Sequence, residues 1–151
     1  MIINKIDNYY IIKLPNTKID IFDLDELEKI VQKIILKVNR KYNVNNCIHL
    51  ELYLNDNYGI IIKLTDYKLP FIINNEKNVK ITIHADTPFL YQIDYFDIEK
   101  RDEIKNIYYY KNKFYLELKD NINKIEYLKL LELSEIIYED SLDIIDKGIK
   151  I

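Results

Sequence analysis

The most regular hydrophobic pattern in the chain lies between Asp23 and Tyr42, where apolar residues recur every three or four positions. Glu26 follows Asp23 at the spacing of a capping box, and acidic residues occupy the first turn. Such a helix buries one stripe and presents its remaining residues to water. The pattern predicts a helix over this range, with Lys29, Gln32, Lys33, Lys37 and Arg40 in solvent. Its predicted buried face comprises Leu24, Leu27, Val31, Ile34 and Val38.

A period of two replaces the helical pattern from Cys47 to Leu54, which predicts a half-buried strand. The segment Asn55–Gly59 has turn composition, so Ile60–Leu64 is expected to return as a hairpin partner. The same alternation predicts a strand at Val79–Ala85, and a first strand is expected at Ile6–Leu14.

A second hairpin is predicted further along the chain, with Ile107–Tyr110 and Phe114–Lys119 as its strands and Phe114, Leu116 and Leu118 on its buried side. Other short segments predict further strands at Phe89–Tyr95, Glu135–Tyr138 and Ile149–Ile151, and a short helix with Ile122, Ile125, Leu128 and Leu131 as its apolar face. These elements predict an α+β fold. We expect a largely antiparallel, twisted sheet with one long N-terminal helix on one face and a short C-terminal helix. Because no repeat or flexible linker divides the sequence, residues 1–151 are expected to form a single domain.

Composition supports a globular chain, since 48% of its 151 residues are hydrophobic and 31% are charged. Apolar runs such as Ile60–Ile62 are far shorter than the roughly 20 residues of a membrane-spanning helix, so no membrane association is expected. Met1–Asp7 has neither a basic leader nor a small-residue cleavage site, and the single cysteine excludes an intramolecular disulfide. Both features favour a cytoplasmic protein. The excess of Ile, Lys, Asn and Tyr is typical of an AT-rich genome.

The charge and the scarcity of glycine narrow the classes of function. A formal net charge of −3 argues against nucleic acid as the partner, because phosphate backbones attract basic surfaces. Only two glycines are present, which excludes the glycine-rich phosphate loop and the dinucleotide-binding turn. No nucleotide cofactor is therefore expected.

The two histidines, His49 and His84, each precede a carboxylate by two residues, at Glu51 and Asp86. Side chains two apart on a strand share a face, so each pair should lie on the polar side of the sheet. If the two strands were neighbours, imidazoles and carboxylates would converge in a set suited to a divalent metal such as zinc, manganese or iron. Histidines and acids are also common on solvated sheet faces, and this spacing is far less specific than H-E-x-x-H. The metal site is therefore an alternative to the preferred interpretation.

Tyrosine is the second unusual feature, because the chain contains 14 of these residues. Tyr108, Tyr109, Tyr110 and Tyr115 cluster on the second predicted hairpin, and alternation places them on both of its faces. Exposed tyrosine favours protein interfaces and also stacks on unpaired bases, although the acidity of the chain opposes the latter. Tyrosine also simply fills amphipathic positions in a chain without tryptophan.

Two functions remain. The sequence favours a non-catalytic protein-binding or regulatory module of inhibitor, immunity or adaptor type, with the four tyrosines as its interface and an unidentified protein as its partner. An exposed sheet edge would also allow a homo-oligomer. The alternative is a small metal-dependent enzyme that uses His49, Glu51, His84 and Asp86.

Overall fold

The computed structural model of the protein describes residues 1–44, 47–67, 78–94 and 103–151, without the side chains of Cys47 and Asn78. Within these ranges the chain is a mixed α and β structure, mostly strands, with two five-stranded sheets and three helices. It separates into two compact units, Met1–Ala85 (unit 1) and Asp86–Ile151 (unit 2), each of which is described by itself. The single-domain organisation stays a prediction. No helix in the described ranges has the length and apolarity required to cross a membrane.

The described residues of unit 1 form one sheet and one helix. Its elements are β1 (Ile2–Ile6), β2 (Tyr9–Pro15), α1 (Leu24–Lys41), β3 (Cys47–Asn55), β4 (Gly59–Asp66) and β5 (Asn78–His84). The strand order is β1-β2-β4-β3-β5, and every pairing is antiparallel except that of β3 with β5, which is parallel. Among the described strands, β3 lies inside the sheet and β5 lies at its edge.

The predicted helix is present as α1. The Asp23 side chain accepts a hydrogen bond from the Glu26 backbone N–H at 3.1 Å and so caps the helix, as the sequence indicates. Its buried residues pack into the core with apolar residues of the sheet: Leu27, Val31, Ile34 and Val38 with Leu50, Leu52, Ile60, Ile62 and Leu64. The prediction for Leu24 is wrong, because this first helical residue is 74% exposed and the buried stripe begins one turn later.

The first predicted strand is also corrected. In place of one strand over Ile6–Leu14, the structure has the antiparallel hairpin of β1 and β2, with Ile6 paired to Tyr9. Asp7 forms the turn with φ of 49°, a left-handed conformation that Asp tolerates better than most residues. Two turn residues between apolar segments are the usual signal of a tight hairpin.

Unit 2 contains the second sheet. Its elements are β6 (Leu90–Ile93), β7 (Ile104–Tyr110), β8 (Lys113–Leu118), α2 (Lys124–Leu133), β9 (Glu135–Ile137), α3 (Ser141–Lys147) and β10 (Ile149–Lys150). The strand order is β10-β7-β8-β6-β9, and all pairings are antiparallel. The predicted β7–β8 hairpin is confirmed, and its turn residues Lys111 and Asn112 have positive φ. Tyr95, at the end of one predicted strand, lies outside the described residues.

Two further predictions require correction, one for the whole described structure and one for α2. The described residues form two sheets and three helices, whereas one sheet, one long helix and one short helix were expected; α3, with seven residues, is too short for its periodicity to stand out. The predicted apolar face of α2 is wrong as well. Ile125 and Leu128 are 63% and 48% exposed, while Tyr127 and Leu130 are buried. The hydroxyl groups of Tyr127 and Tyr91 on β6 lie 2.8 Å apart, and this contact orients the helix.

Candidate functional site

The polar face of the unit 1 sheet carries the side chains that the sequence singles out. On β3, Leu50 and Leu52 point into the core with α1, so His49, Glu51 and Tyr53 lie on the opposite face. The central position of β3 gives each of these residues neighbours on both sides. Glu51 pairs with Lys63 of β4 and with Thr82 of β5, and Tyr53 pairs with His84 of β5. We refer to His49, Glu51, Tyr53, Thr82 and His84 as the Glu51 cluster.

The carboxylate of Glu51 is the centre of this cluster. The Tyr53 hydroxyl donates a hydrogen bond to its Oε2 at 2.9 Å, and Nε2 of His84 lies 3.3 Å from the same oxygen. The other oxygen, Oε1, lies 3.9 Å from Nδ1 of His49. His49 is oriented in turn by Thr82, whose hydroxyl is 2.8 Å from its Nε2. Each carboxylate oxygen therefore faces a different imidazole.

These contacts favour the ionised form of Glu51. Partial burial opposes ionisation, but the hydrogen bonds from Tyr53 and His84, together with electrostatic attraction from His49 and Lys63, outweigh it. The pKa of Glu51 consequently lies below its ordinary value. A general base that works near neutral pH needs a raised carboxyl pKa, so the shift is opposite to the one that such chemistry requires.

The structure brings together three of the four residues predicted for a metal site and leaves out the fourth. Strand β5 ends at His84, and Asp86 follows in a turn as an exposed residue with φ of 52°. The alternation that places Asp86 beside His84 therefore fails, because it requires the strand to continue. Among the described residues, no group of three or more His, Cys, Asp or Glu side chains is arranged to hold a metal ion. The donors of the Glu51 cluster are instead turned toward one another, which does not fit a metal.

The four tyrosines of the predicted interface fall into two groups that differ in burial. Tyr108 and Tyr115 are direct partners across β7 and β8, are only 5% and 7% exposed, and pack with Leu90 and with Ile144 of α3. Burial is the main cause that raises the pKa of both phenols. Tyr109 and Tyr110 are half-buried. Use of the four tyrosines as an interface stays a prediction, and Tyr109 and Tyr110 are the two with accessible surface to support it.

A cross-strand row of apolar side chains accompanies Tyr109. Tyr109 pairs with Phe114 of β8 on one side and with Ile149 of β10 on the other, so all three share one face. The rings of Tyr109 and Phe114 are 5.1 Å apart, and the Tyr109 hydroxyl donates to Oδ1 of Asn112 at 2.9 Å. Ile149, at the sheet edge, is 66% exposed. We refer to Ile149, Tyr109 and Phe114 as the edge row.

Sequence reasoning did not identify the edge row as a candidate site. Phe114 was expected on the buried side with Leu116 and Leu118, but it is only half-buried, whereas the two leucines are buried. Two sequence features could have indicated the edge row. One is the pair Tyr109 and Phe114 on either side of the Lys111-Asn112 turn, and the other is the apolar strand predicted at Ile149–Ile151. What joins these segments is the pairing of β10 with β7, which periodicity does not reveal.

Comparison with known proteins adds no further identification, since no protein-family model, curated protein or solved structure matches the chain.

Proposed function

We propose that the protein is a non-catalytic protein-binding or regulatory module of inhibitor, immunity or adaptor type, and that the edge row contacts its partner. The observation that carries the proposal is the continuous row from Phe114 through Tyr109 to Ile149 at the border of the sheet. Aromatic side chains with a polar tip supply rigid contact area and are enriched at the centres of protein interfaces.

Two structural features of the edge row favour binding. The hydrogen bond to Asn112 and the contact with Phe114 hold the Tyr109 ring in place, which reduces the entropy lost when a partner immobilises it. Strand β10, with only two residues, forms the border of the described sheet. Such a border can accept a further strand through its main-chain groups, while Ile149 supplies apolar contact.

The sheet border and the composition of the chain also bear on its partners and its location. The sheet border would also serve for a homo-oligomer, in which a second copy adds its own border strand. The acidity of the chain disfavours nucleic acid as the ligand of this surface. A cytoplasmic location is proposed because a chain with one cysteine suits a reducing compartment.

Partner capture with matched variants tests the proposal. The immobilised protein is exposed to a native lysate of its source organism, and captured proteins are identified by mass spectrometry after cross-linking. We expect Ile149→Lys and Tyr109→Ser to abolish capture of one specific protein. Tyr67→Ser is the matched control, because Tyr67 is 51% exposed but lies in unit 1. Circular dichroism verifies that both edge-row variants are folded. If both folded variants still capture the protein, the edge row is excluded as the interface.

A metal-dependent enzyme built on His49, Glu51, His84 and Asp86 is the second proposal. The observation in its favour is the approach of both imidazoles to one carboxylate. It ranks second because Asp86 lies outside the cluster, the pKa of Glu51 is lowered, and the described donors do not fit a metal.

Thermal unfolding with added metal distinguishes the two proposals. An enzyme of this class should gain stability from zinc or manganese, and His49→Ala together with His84→Ala should remove that gain. A binding module should show the same melting temperature with and without metal and should keep its partner when both histidines are replaced.

A further inference from the structure

The exposed face of α1 is divided by charge into two halves. Residues 19–28 contain five acids and no base: Asp20, Asp23, Asp25, Glu26 and Glu28. Residues 29–41 contain five bases and no acid: Lys29, Lys33, Lys37, Arg40 and Lys41. All of these charged side chains are exposed except that of Glu26, which is half-buried. The helix thus presents an acidic half and a basic half to solvent on the same unit.

Each half also exposes apolar surface. Phe22 and Leu24, at the acidic end, are 88% and 74% exposed. In the basic half, Leu36 is 56% exposed and lies in a shallow pocket whose other lining residues are Lys29, Gln32, Lys33, Lys37 and Arg40. The apolar residues exposed at the acidic end and the Leu36 pocket in the basic half are therefore complementary in both charge and hydrophobicity.

The helix dipole explains only part of this arrangement. It favours acids in the first turn and bases in the last turn, and its effect falls off within those turns. Lys29 and Lys33 lie nearer the middle of α1, and the dipole gives no reason to expose Phe22 or Leu24. Exposed large apolar side chains of this kind mark association surfaces when they occur together.

We propose that α1 is a self-association surface, on which a second copy of the chain packs with its α1 antiparallel to the first. Phe22 and Leu24 of each copy then contact the Leu36 pocket of the other. Leu24 and Leu36 are 12 positions apart, or about 18 Å along the helix and about 120° around it, so the second helix must cross α1 obliquely for both contacts to form together. A two-fold axis makes both contacts equivalent and closes the assembly as a dimer.

A second copy fits this surface better than an unrelated polyanion. A polyanion would use only the basic half of α1, would be repelled by the acidic half, and would leave Phe22 and Leu24 without a contact. A second copy uses both halves at once. Because the complementary charges lie at exposed positions, the attraction should weaken as salt increases. This surface belongs to unit 1, whereas the edge row belongs to unit 2.

Complementary charge reversal tests the dimer. One variant, Lys33→Glu with Lys37→Glu, replaces two of the five bases of the basic half by acids and leaves the acidic half unchanged. The other, Asp25→Lys with Glu28→Lys, replaces two of the five acids of the acidic half by bases and leaves the basic half unchanged. We expect the wild type to form dimers in sedimentation velocity at low salt and each variant alone to dimerise at least about tenfold more weakly. An equimolar mixture of the two variants should recover the dimer as a heterodimer, because the unchanged acidic half of the first variant then meets the unchanged basic half of the second.

The control is Lys113→Glu with Lys124→Glu, which changes net charge by the same amount as Lys33→Glu with Lys37→Glu, at exposed positions in unit 2, and should leave the dimer intact. Circular dichroism verifies that each variant is folded. A wild type that stays monomeric up to about 1 mM, where even weak association is visible, would overturn the proposal. Dimers that persist in either variant alone, or a mixture that stays monomeric, would also overturn it. Binding of a DNA oligonucleotide by the wild type without dimer formation would assign the basic half to a polyanion instead.

Discussion

The ring of Tyr53 stacks on the imidazole of His84, with centroids 4.4 Å apart and planes inclined by 7°. The two residues are direct partners in the parallel ladder between β3 and β5. The Tyr53 hydroxyl also donates to Glu51 on its own strand. One side chain therefore links the carboxylate at the centre of the Glu51 cluster to the edge strand.

Replacement of Tyr53 by Phe separates these two roles. The variant keeps a ring to stack on His84 but loses the hydrogen bond to Glu51. We expect the pKa of Glu51 to rise, because one of the contacts that lower it is gone, and the free energy of unfolding to fall by about 1 kcal/mol. Carbon-detected NMR titration of the Glu51 carboxyl measures the first effect and urea unfolding the second. Tyr67→Phe is the control at an exposed tyrosine; an unchanged Glu51 pKa in Tyr53→Phe would contradict the prediction.

The lowered pKa of Glu51 predicts a pH-dependent contribution to stability. A carboxyl whose pKa is lower in the folded than in the unfolded chain stabilises the fold above its unfolded value, and this contribution is lost as pH falls through the folded pKa. Glu51→Gln mimics the protonated form. The stability difference between wild type and Glu51→Gln should therefore be largest above about pH 5 and shrink toward about pH 3. Urea unfolding across this range measures it, and a difference independent of pH would indicate a loss of packing instead.

The corrected orientation of α2 predicts unequal effects for two leucines on that helix. Leu130 is 5% exposed, so Leu130→Ala should lower the free energy of unfolding by about 2 to 4 kcal/mol. Leu128, two residues earlier, is 48% exposed, so Leu128→Ala should cost less than about 1 kcal/mol. Chemical denaturation of both variants gives the comparison. Equal losses would favour the helix face expected from the sequence over the one in the structure.

At Gly59, at the start of β4, even a substitution by alanine is expected to lower stability strongly. Its φ is 107°, and a Cβ atom there would lie 2.3 Å from the backbone oxygen of Leu14. This clash involves backbone atoms, which cannot move aside as the end of a flexible side chain can. Gly59→Ala should therefore destabilise unit 1 by at least about 2 kcal/mol. Asp56→Ala, at an exposed position in the same turn, should change stability by less than about 0.5 kcal/mol. A melting temperature for Gly59→Ala equal to that of the control would rule out this strain.

Local patterns predict the elements of this chain better than they predict its contacts. Helix α1 and the β3–β4 hairpin follow from periodicity, a capping box and turn residues that lie close together in the sequence. The hairpin of β1 and β2 was missed because Asp7 and Asn8 were included in one strand, although their turn chemistry was present. The division into two sheets depends on pairings between distant strands, which alternation does not specify.

The same distinction applies to the candidate sites. Alternation correctly places His49 and Glu51 on the face of β3 away from Leu50, but only the parallel pairing with β5 brings His84 to them. It fails at Asp86 because the strand ends two residues earlier. On the second hairpin, alternation separates Tyr109 from Tyr115 without indicating which face α3 covers, and that covering is what buries Tyr115.

The position of the Glu51 cluster on the only parallel pairing among the described strands has a dynamic consequence. Border strands are commonly among the first parts of a native structure to open transiently, and such openings can be followed through the exchange of amide hydrogens with solvent. Protonation of Glu51 would weaken the contact with His84 while leaving the antiparallel β3–β4 pairing unchanged. Amides of β5 should then exchange faster, relative to those of β4, once the pH falls below the ordinary glutamate pKa of about 4.3 and Glu51 begins to be protonated. The acidity of the surroundings would thereby set how often this border of the sheet frays.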